Sequence, residues 1–181
     1  YSFLEGLASP GALADAAQQH GMSALALTDR HWLSGAIEFV DACRQRSLQP
    51  ILGLEVTVAS QNGLKSFTGQ SGRLVLLAQN LSGWGNLCRL SSLLQSDSAL
   101  ASDSLTLDSL SAHSEGLICL TGGRRSTLAT LLSNGQSRLA DRWLGVLCEI
   151  FPDRLYAELQ YHAGADRDWV NALPPLARSS K

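Results

Sequence analysis

The chain has 181 residues, of which 45% are hydrophobic and 17% are charged, and its formal net charge is -2. This length and composition suit one folded domain or two small ones, and they exclude disorder along the whole chain. The near-neutral charge excludes a strongly basic nucleic-acid clamp, although a local basic patch stays open. No apolar run is long enough for a membrane helix, and the first residues lack the pattern of a signal peptide.

Apolar runs and turn residues alternate along the chain in a pattern that predicts strands separated by helices. Ser9 and Pro10 are typical of a helix start, and Gly21 suits the left-handed position that ends a helix. Strands are predicted at 24–28, 51–58, 74–78, 117–120 and 155–160. Helices are predicted at 9–20, from 34, at 83–95, 106–113, 126–132 and 136–150, and from 166. The alternation predicts an α/β fold with a parallel sheet, open or closed into a barrel, in which the polar stretch 59–72 is a loop or an exposed hairpin.

Both ends of the chain are abrupt. The chain begins at Tyr1 without a Met, and a helical pattern stops near Lys181 without a capping Gly or Asn. We therefore expect this sequence to be a piece of a longer chain.

The four cysteines, Cys43, Cys88, Cys119 and Cys148, form no C-x-x-C pair. A zinc knuckle or a thioredoxin-like motif is therefore not expected. Each cysteine has apolar neighbours, which favours four reduced, buried thiols in a cytoplasmic protein over a disulfide framework.

Polar and charged side chains recur where the predicted strands end, and active sites of parallel α/β folds lie at the carboxyl ends of the strands. The residues found there are Asp29, Arg30, His31, Glu55, Arg124, Arg125 and His162. Zinc and manganese accept mixed carboxylate and imidazole ligands. The carboxylates and imidazoles of this set, together with Glu5 near the start of the chain, are therefore candidates for a site of divalent cations.

Most of these side chains also have an ordinary structural interpretation. Asp29 could cap the turn that follows it, His31 could be an ordinary loop residue, and His162 could be an ordinary histidine at the surface. Arg124 and Arg125 could bind a phosphate, although two arginines after a strand are often only solvated.

Glu55 is the most informative of the candidates, because it lies between Leu54 and Val56 in an apolar run. A carboxylate in such a place is costly unless it is paired or bound to a metal ion. The sequence contains no P-loop and no G-x-G-x-x-G motif that would indicate a nucleotide site instead.

An ordered set of short motifs resembles the PHP (polymerase and histidinol phosphatase) domain family over nearly the whole chain. The set is similar to the form found at the start of bacterial DNA polymerase III alpha subunits. Residues 1–6 (YSFLEG) resemble the segment Y-S-x-L-[DE]-G, and residues 21–29 (GMSALALTD) resemble a strand that leads into Thr-Asp-His. The later motifs follow in the same order: LSGAIEF at 33–39, PILGLEV at 50–56, LLAQN at 76–80, GWGNLC at 83–88 and ELQYH at 158–162.

The resemblance implies a distorted seven-stranded β/α barrel, incomplete at both ends in this chain. In active members of the family, three metal ions, usually zinc or manganese, activate water for phosphoester hydrolysis. In polymerases the domain lies beside the polymerase active site, and in members whose metal site has decayed it has been linked to binding a separate exonuclease subunit.

The departures from the family pattern predict a degenerate metal site. The opening His-x-His pair and the closing Asp-x-His motif are missing from this chain. Arg30 replaces a ligand His, so His31 would need a local rearrangement to substitute for it, and Gly123 stands where polymerase members often carry a ligand Cys. Glu5, Glu55 and His162 match the family positions and Asp29 keeps its neighbouring place.

A guanidinium group at position 30 would repel metal ions at close range, or it could replace one by pairing with Glu55 or Asp29. We therefore expect a metal site that is partly or wholly lost.

Three functions follow as hypotheses. The first is the PHP domain of a DNA polymerase III alpha-type chain, acting in replication or in error-prone repair synthesis with a mainly structural role. The second is a free-standing, metal-dependent phosphoesterase similar to histidinol phosphatases, against which Arg30 and Gly123 weigh. The third is a module that binds other replication proteins, and it is compatible with the first.

Overall fold

The structure, a computed structural model, describes residues 8–59, 71–96 and 104–160, and within them it contains six α-helices and five strands. The helices are α1 (Pro10–Gln19), α2 (Ala36–Gln45), α3 (Leu81–Leu94), α4 (Leu107–Ala112), α5 (Thr127–Ser133) and α6 (Ser137–Ile150). The strands are β1 (Ala24–Leu27), β2 (Gln49–Ala59), β3 (Ser71–Ala78), β4 (Leu117–Leu120) and β5 (Leu155–Tyr156).

Local capping residues begin several helices where the sequence predicts them. The Ser9 side chain accepts a hydrogen bond from the Ala12 N–H at 3.2 Å, with Pro10 at the first helical position. Thr106 caps α4 in the same way, and Gly21 has the predicted left-handed conformation with a φ of 66°.

The predicted strand at 155–160 pairs only over Leu155–Tyr156. β2 includes Gln49 and Pro50, where the sequence predicts only a break. The helix predicted from residue 166 lies outside the described residues.

The five strands form one sheet in the order β1-β2-β3-β4-β5. β1 pairs with β2 and β4 pairs with β5 in parallel, whereas β3 is antiparallel to both β2 and β4. The prediction of a parallel sheet is therefore wrong at β3. β2 and β3 are neighbours in the chain and in the sheet, and an antiparallel pair needs no helical crossover. The seven-stranded barrel stays a prediction, since the described residues supply five strands.

The direction of β3 decides which residues meet at the functional edge of the sheet. Because β1, β2, β4 and β5 run the same way, their carboxyl ends lie at one edge. The amino end of the reversed strand β3 lies at that same edge, and Ser71 pairs with Ala59 there. Residues at the start of β3 therefore join those at the ends of the other strands.

The helices cover one face of β2, β3 and β4. Leu54, Val56, Leu74 and Leu76 point into this core and are at most 1% exposed. Side chains of α3, α5 and α6 complete the cluster, including Leu87, Leu90, Leu128, Trp143 and Leu147. A second, smaller cluster lies between α1, α2 and the start of the sheet, and contains Ala14, Ala17, Phe39, Cys43 and Leu48.

All four cysteines are free thiols, as the sequence predicts. Cys43 and Cys119 are buried, whereas Cys88 and Cys148 are only half-buried, which corrects the prediction that all four are buried. Burial raises the pKa of each thiol, most of all that of Cys119, because it disfavours the thiolate. No helix in the described part of the chain has the length and apolar character needed to cross a membrane.

Candidate functional site

The segment after β1 continues alongside β2 and brings several predicted site residues together. The Glu55 N–H donates to the Asp29 carbonyl at 3.0 Å, and the His31 N–H donates to the Glu55 carbonyl at 2.9 Å. Arg30 lies between these two bonds, directly beside Glu55. The backbone therefore holds Asp29, Arg30 and His31 next to Glu55, as expected for residues that follow neighbouring parallel strands.

His31 is held in place by both its backbone and its ring. It has a φ of 64° and only 6% of the residue is exposed. Its Nε2 accepts the Thr57 N–H at 3.3 Å and lies 2.9 Å from the Thr57 hydroxyl. Its carbonyl accepts hydrogen bonds from the Ser91 hydroxyl and from Gln95 Nε2. Because Nε2 is already engaged, His31 would have to give up Thr57 to offer this nitrogen to a metal ion.

Arg73, which the sequence analysis missed, forms an ion pair with Glu55. Its Nη1 lies 2.7 Å from Glu55 Oε1, and the two side chains are 16% and 24% exposed. The pairing register explains the contact: Glu55 is opposite Val75, and Thr57 is opposite Arg73. Glu55 and Arg73 are therefore diagonal neighbours on one face of the β2–β3 pair. The half-buried Glu55 carboxylate was expected to need a partner. The Arg73 guanidinium group is at least part of that partner.

The loop after β4 packs against the start of β3. Gly122 and Gly123 both have left-handed backbones, with φ of 83° and 56°. A Cβ atom at Gly122 would lie 2.6 Å from the Arg73 carbonyl carbon, so a side chain there would not fit. This close approach carries Arg124 and Arg125, in the short 3₁₀ turn Gly123–Arg125, towards Arg73.

Gln160 fills the space beside Gly123. A Cβ atom at Gly123 would lie 2.6 Å from Gln160 Nε2, and the same amide group donates a hydrogen bond to Glu158 Oε1. The Gln160 amide group therefore lies where a side chain at position 123 would begin, and the loss of a metal ligand at this position stays a prediction.

These elements enclose a cleft of about 690 Å³. Among the described residues it is lined by Glu55, Arg73, Gly122, Arg124, Arg125 and Gln160. Among these described lining residues, three are arginines and one is a carboxylate, which is ion-paired with Arg73. The described part of the lining therefore has more basic than acidic side chains.

The described part of the site does not fit a cluster of metal ions. Within residues 8–59, 71–96 and 104–160, no three His, Cys, Asp or Glu side chains are grouped so that they could hold one. Glu5 and His162, the two other candidate ligands, lie outside the described residues and stay predictions. Of the candidate ligands that the structure describes, Glu55 is ion-paired with Arg73 and the His31 ring is hydrogen-bonded to Thr57.

Known proteins with similar sequences match most of the chain. The chain is 35% identical over 164 residues to the DNA polymerase III subunit alpha of Caulobacter vibrioides, which covers 90% of this chain and 14% of that protein. It is also 35% identical to the corresponding subunit of Escherichia coli, over 99% of this chain and 15% of that protein, and 38% identical to that of Bacillus subtilis, over 75% and 12%. The chain thus spans only about one seventh of the length of these relatives.

The PHP domain model matches residues 1–162. Together with the relatives, this match covers the segments that carry Glu55, the Arg30–His31 turn and the loop with Arg124 and Arg125. The chain belongs to the PHP domain family.

Proposed function

We propose that this chain is the PHP domain of a bacterial DNA polymerase III alpha-type subunit, and that it acts as a structural domain without metal-dependent hydrolysis. The parent chain would be the DNA-directed DNA polymerase, in replication or in error-prone repair synthesis. The similarity to alpha subunits supports the first half of this proposal. The Arg73–Glu55 ion pair is the single observation that carries the second half.

The ion pair opposes metal binding in two ways. It occupies an oxygen of the best-matched candidate ligand, at a distance of 2.7 Å. It also sets a permanent positive charge beside the place where a cation would bind. Two unit charges 4 Å apart near a protein surface interact by about 4 kcal/mol, and a divalent ion feels twice that repulsion. Arg124 and Arg125 add further positive charge at the same cleft.

The remaining parts of the proposal concern the surroundings of the domain. Two further strands would complete the seven-stranded barrel that the family resemblance implies. In a cytoplasmic polymerase the partners would be the polymerase domains of the same chain, DNA through those domains, and an exonuclease subunit. A separate exonuclease would supply the hydrolytic activity that the decayed site lacks.

Metal analysis of the full natural chain, after dialysis against metal-free buffer, tests the loss of metal chemistry. We expect less than one tightly bound zinc or manganese ion per chain, and no phosphoesterase activity when either metal is added back. Three tightly held ions per chain, or metal-dependent release of phosphate from a phosphoester, would contradict the proposal and favour a phosphoesterase similar to histidinol phosphatases.

The assignment to a polymerase has its own test. The full natural chain should extend a primed DNA template, and it should retain the exonuclease subunit of the same organism in a pull-down. A chain that does neither would contradict the assignment, whatever its metal content.

A further inference from the structure

We propose that the outward face of helix α3 is a docking surface for an apolar segment of the parent chain that lies outside residues 1–181. This surface, the α3 face, is formed by Leu81, Trp84, Gly85 and Cys88. The inference rests on the proposed function, because it takes the chain to be one domain of a longer polymerase. It goes beyond that function by assigning the surface through which the domain contacts another part of the polymerase.

The outward half of α3 carries apolar side chains where a solvated helix carries charged ones. α3 packs its buried side against β2 and β3, and Arg89 is the single charged residue among its 14 residues. Leu81 is 83% exposed, and Trp84 and Cys88 are half-buried. These three side chains lie on one side of the helix, because they are three and four residues apart. An apolar face with an aromatic residue at its centre is typical of the core of a protein–protein interface.

Helix α6 shows how a solvated helix of the same length is built in this domain. It also has 14 residues, but four of them are charged and exposed: Arg138, Asp141, Arg142 and Glu149. Both helices contribute side chains to the same hydrophobic cluster, so the difference lies in their outward faces. The charged face of α6 is suited to water, whereas the α3 face leaves apolar surface that another segment can bury.

Gly85 is a second, independent indication that another segment approaches α3. A glycine within a helix weakens that helix relative to alanine. Gly83 has a reason within this domain, because a Cβ atom there would lie 2.0 Å from the Gly116 carbonyl oxygen. Among the described residues, a Cβ atom at Gly85 would contact only Arg89 Nη1, at 3.4 Å. The described packing therefore does not require glycine at position 85, whereas a close approach by an outside segment explains it.

A groove of about 390 Å³ continues the α3 face at Cys88. In the part of the chain that the structure describes, it is lined by Cys88, Arg89, Ser92, Leu93 and His113. It therefore lies between α3 and the end of α4, and it offers the docked segment a place to bury a side chain. The Cys88 thiol lies at the junction of face and groove, where its reactivity reports on whether the surface is covered.

The occupant is part of the same polypeptide, because most of a polymerase of this kind lies outside residues 1–181. The chain covers only 14% and 15% of two of its relatives. A segment tethered to the domain has a high effective concentration, which favours it over a separate protein at the same surface. A second copy of the chain and a segment within residues 1–181 are the alternatives that the test separates.

The first test is photo-crosslinking in the full natural chain. The photoreactive residue p-benzoylphenylalanine replaces Leu81 in one form and Arg142 in a control form, because both positions are exposed. We expect position 81 to crosslink within one chain to a segment beyond residue 181, identified by mass spectrometry, whereas position 142 should give no such product. The proposal is overturned by the same product from both positions, by no crosslink from position 81, or by crosslinks only to residues 1–181 or to a second chain.

The second test is the rate of thiol alkylation. Cys88 and Cys148 are a matched pair of half-buried thiols, one on the α3 face and one on α6. In the native full chain, N-ethylmaleimide should alkylate Cys88 about tenfold more slowly than Cys148, because the docked segment covers Cys88. Leu81→Glu should remove this difference, since it places a charge on the α3 face at an exposed position. Equal rates in the wild type, or a slow Cys88 in Leu81→Glu, would contradict docking.

The contribution of Gly85 has a matched control on α6. A Cβ atom at Gly145 would have no atom within 4 Å among the described residues, so Gly145→Ala should leave the alkylation of Cys88 unchanged. Gly85→Ala should speed it, because the added methyl group holds the docked segment away. Equal rates in the two variants would contradict a close approach at Gly85.

Failure of this inference can be told apart from failure of the proposed function. If the full natural chain extends a primed DNA template but position 81 makes no crosslink beyond residue 181, only the docking surface is wrong. If position 81 makes that crosslink in a chain that does not extend primed DNA, the polymerase assignment is wrong and the docking surface stands.

Discussion

Strands β2 and β3 carry opposite chemistry on their two faces. On the helix-covered face, Leu54, Leu74 and Leu76 are almost completely buried. On the other face, Glu55 and Arg73 form an ion pair that is partly open to the cleft. Because side chains of a strand alternate between faces, each buried leucine fixes the position of the charged residue beside it. The packing of one face thus sets the geometry of the site on the other, while substitutions on the two faces should have separate effects.

The largest expected effect is on the buried face. Leu76→Ala should lower the free energy of unfolding by about 2–5 kcal/mol, because it removes a fully buried side chain and leaves a cavity. Its neighbour Val75 lies on the other face and is half-buried, so Val75→Ala is the matched control and should cost clearly less. Urea unfolding followed by circular dichroism measures both. Equal losses of unfolding free energy in the two variants would mean that the two faces are packed alike, and would contradict the contrast between them.

The next effect is on the charged face. Arg73→Met should cost about 2 kcal/mol, because it leaves the half-buried Glu55 carboxylate without this guanidinium partner. Glu55→Gln and the double variant complete a double-mutant cycle, which isolates the energy of the pair. We expect a coupling energy of about 1–2 kcal/mol, between the values of exposed and fully buried pairs. A coupling energy near zero would show that the ion pair does not organise the cleft.

His31 lies beside β2, and its substitution should cost less than that of Arg73. His31→Asn loses the ring hydrogen bonds to Thr57, which should cost about 1 kcal/mol, but Asn tolerates the left-handed backbone. His31→Ala loses the same bonds and also places a less tolerant residue at a φ of 64°, so it should be the more destabilising of the two. Thermal unfolding of the two variants gives the comparison. Equal stability of both would contradict a role for the backbone conformation.

Features that depend on a few neighbouring residues could be predicted from the sequence. Ser9 and Thr106 cap their helices through hydrogen bonds to an N–H three residues away, so the signal lies within one turn. Glu55 could be singled out because its apolar neighbours alone make an unpaired carboxylate costly. These inferences need no knowledge of how distant segments pair.

Features that depend on long-range pairing could not be predicted in the same way. Arg73 was missed because a parallel sheet places only carboxyl ends at the functional edge, whereas β3 runs in the reverse direction. A sequence signal for this reversal is that no helix is predicted between β2 and β3. The engagement of His31 by Thr57 and Ser91 joins residues 26 and 60 positions apart. An arginine at the start of an apolar strand that follows a glycine-rich stretch is a second signal that could have pointed to Arg73.

The smallest expected effect concerns an exposed ion pair outside both faces. Arg46 Nε of the segment after α2 lies 2.6 Å from Asp15 Oδ1 on α1. This hydrogen bond, together with the charge of Arg46, lowers the pKa of Asp15 from its ordinary value of 3.8. A carboxylate whose pKa is lower in the folded state stabilises the fold above its unfolded-state pKa, and the stabilisation is lost as the pH falls through the folded-state value.

Asp15→Asn should therefore lower the melting temperature slightly at neutral pH and low salt. The difference from wild type should vanish as the pH falls below the ordinary pKa of 3.8 and through the lower folded-state value, and it should shrink when about 0.5 M salt screens the pair. Asp41→Asn, at an exposed position of α2, is the control for the loss of one negative charge. If the Asp15 effect persisted in high salt or at the lowest pH, it would arise from helix packing rather than from charge. Packing would then govern the effect of substitutions on the α1–α2 surface, as it does on the buried face of the sheet. At the cleft, by contrast, charge governs the effect of each substitution.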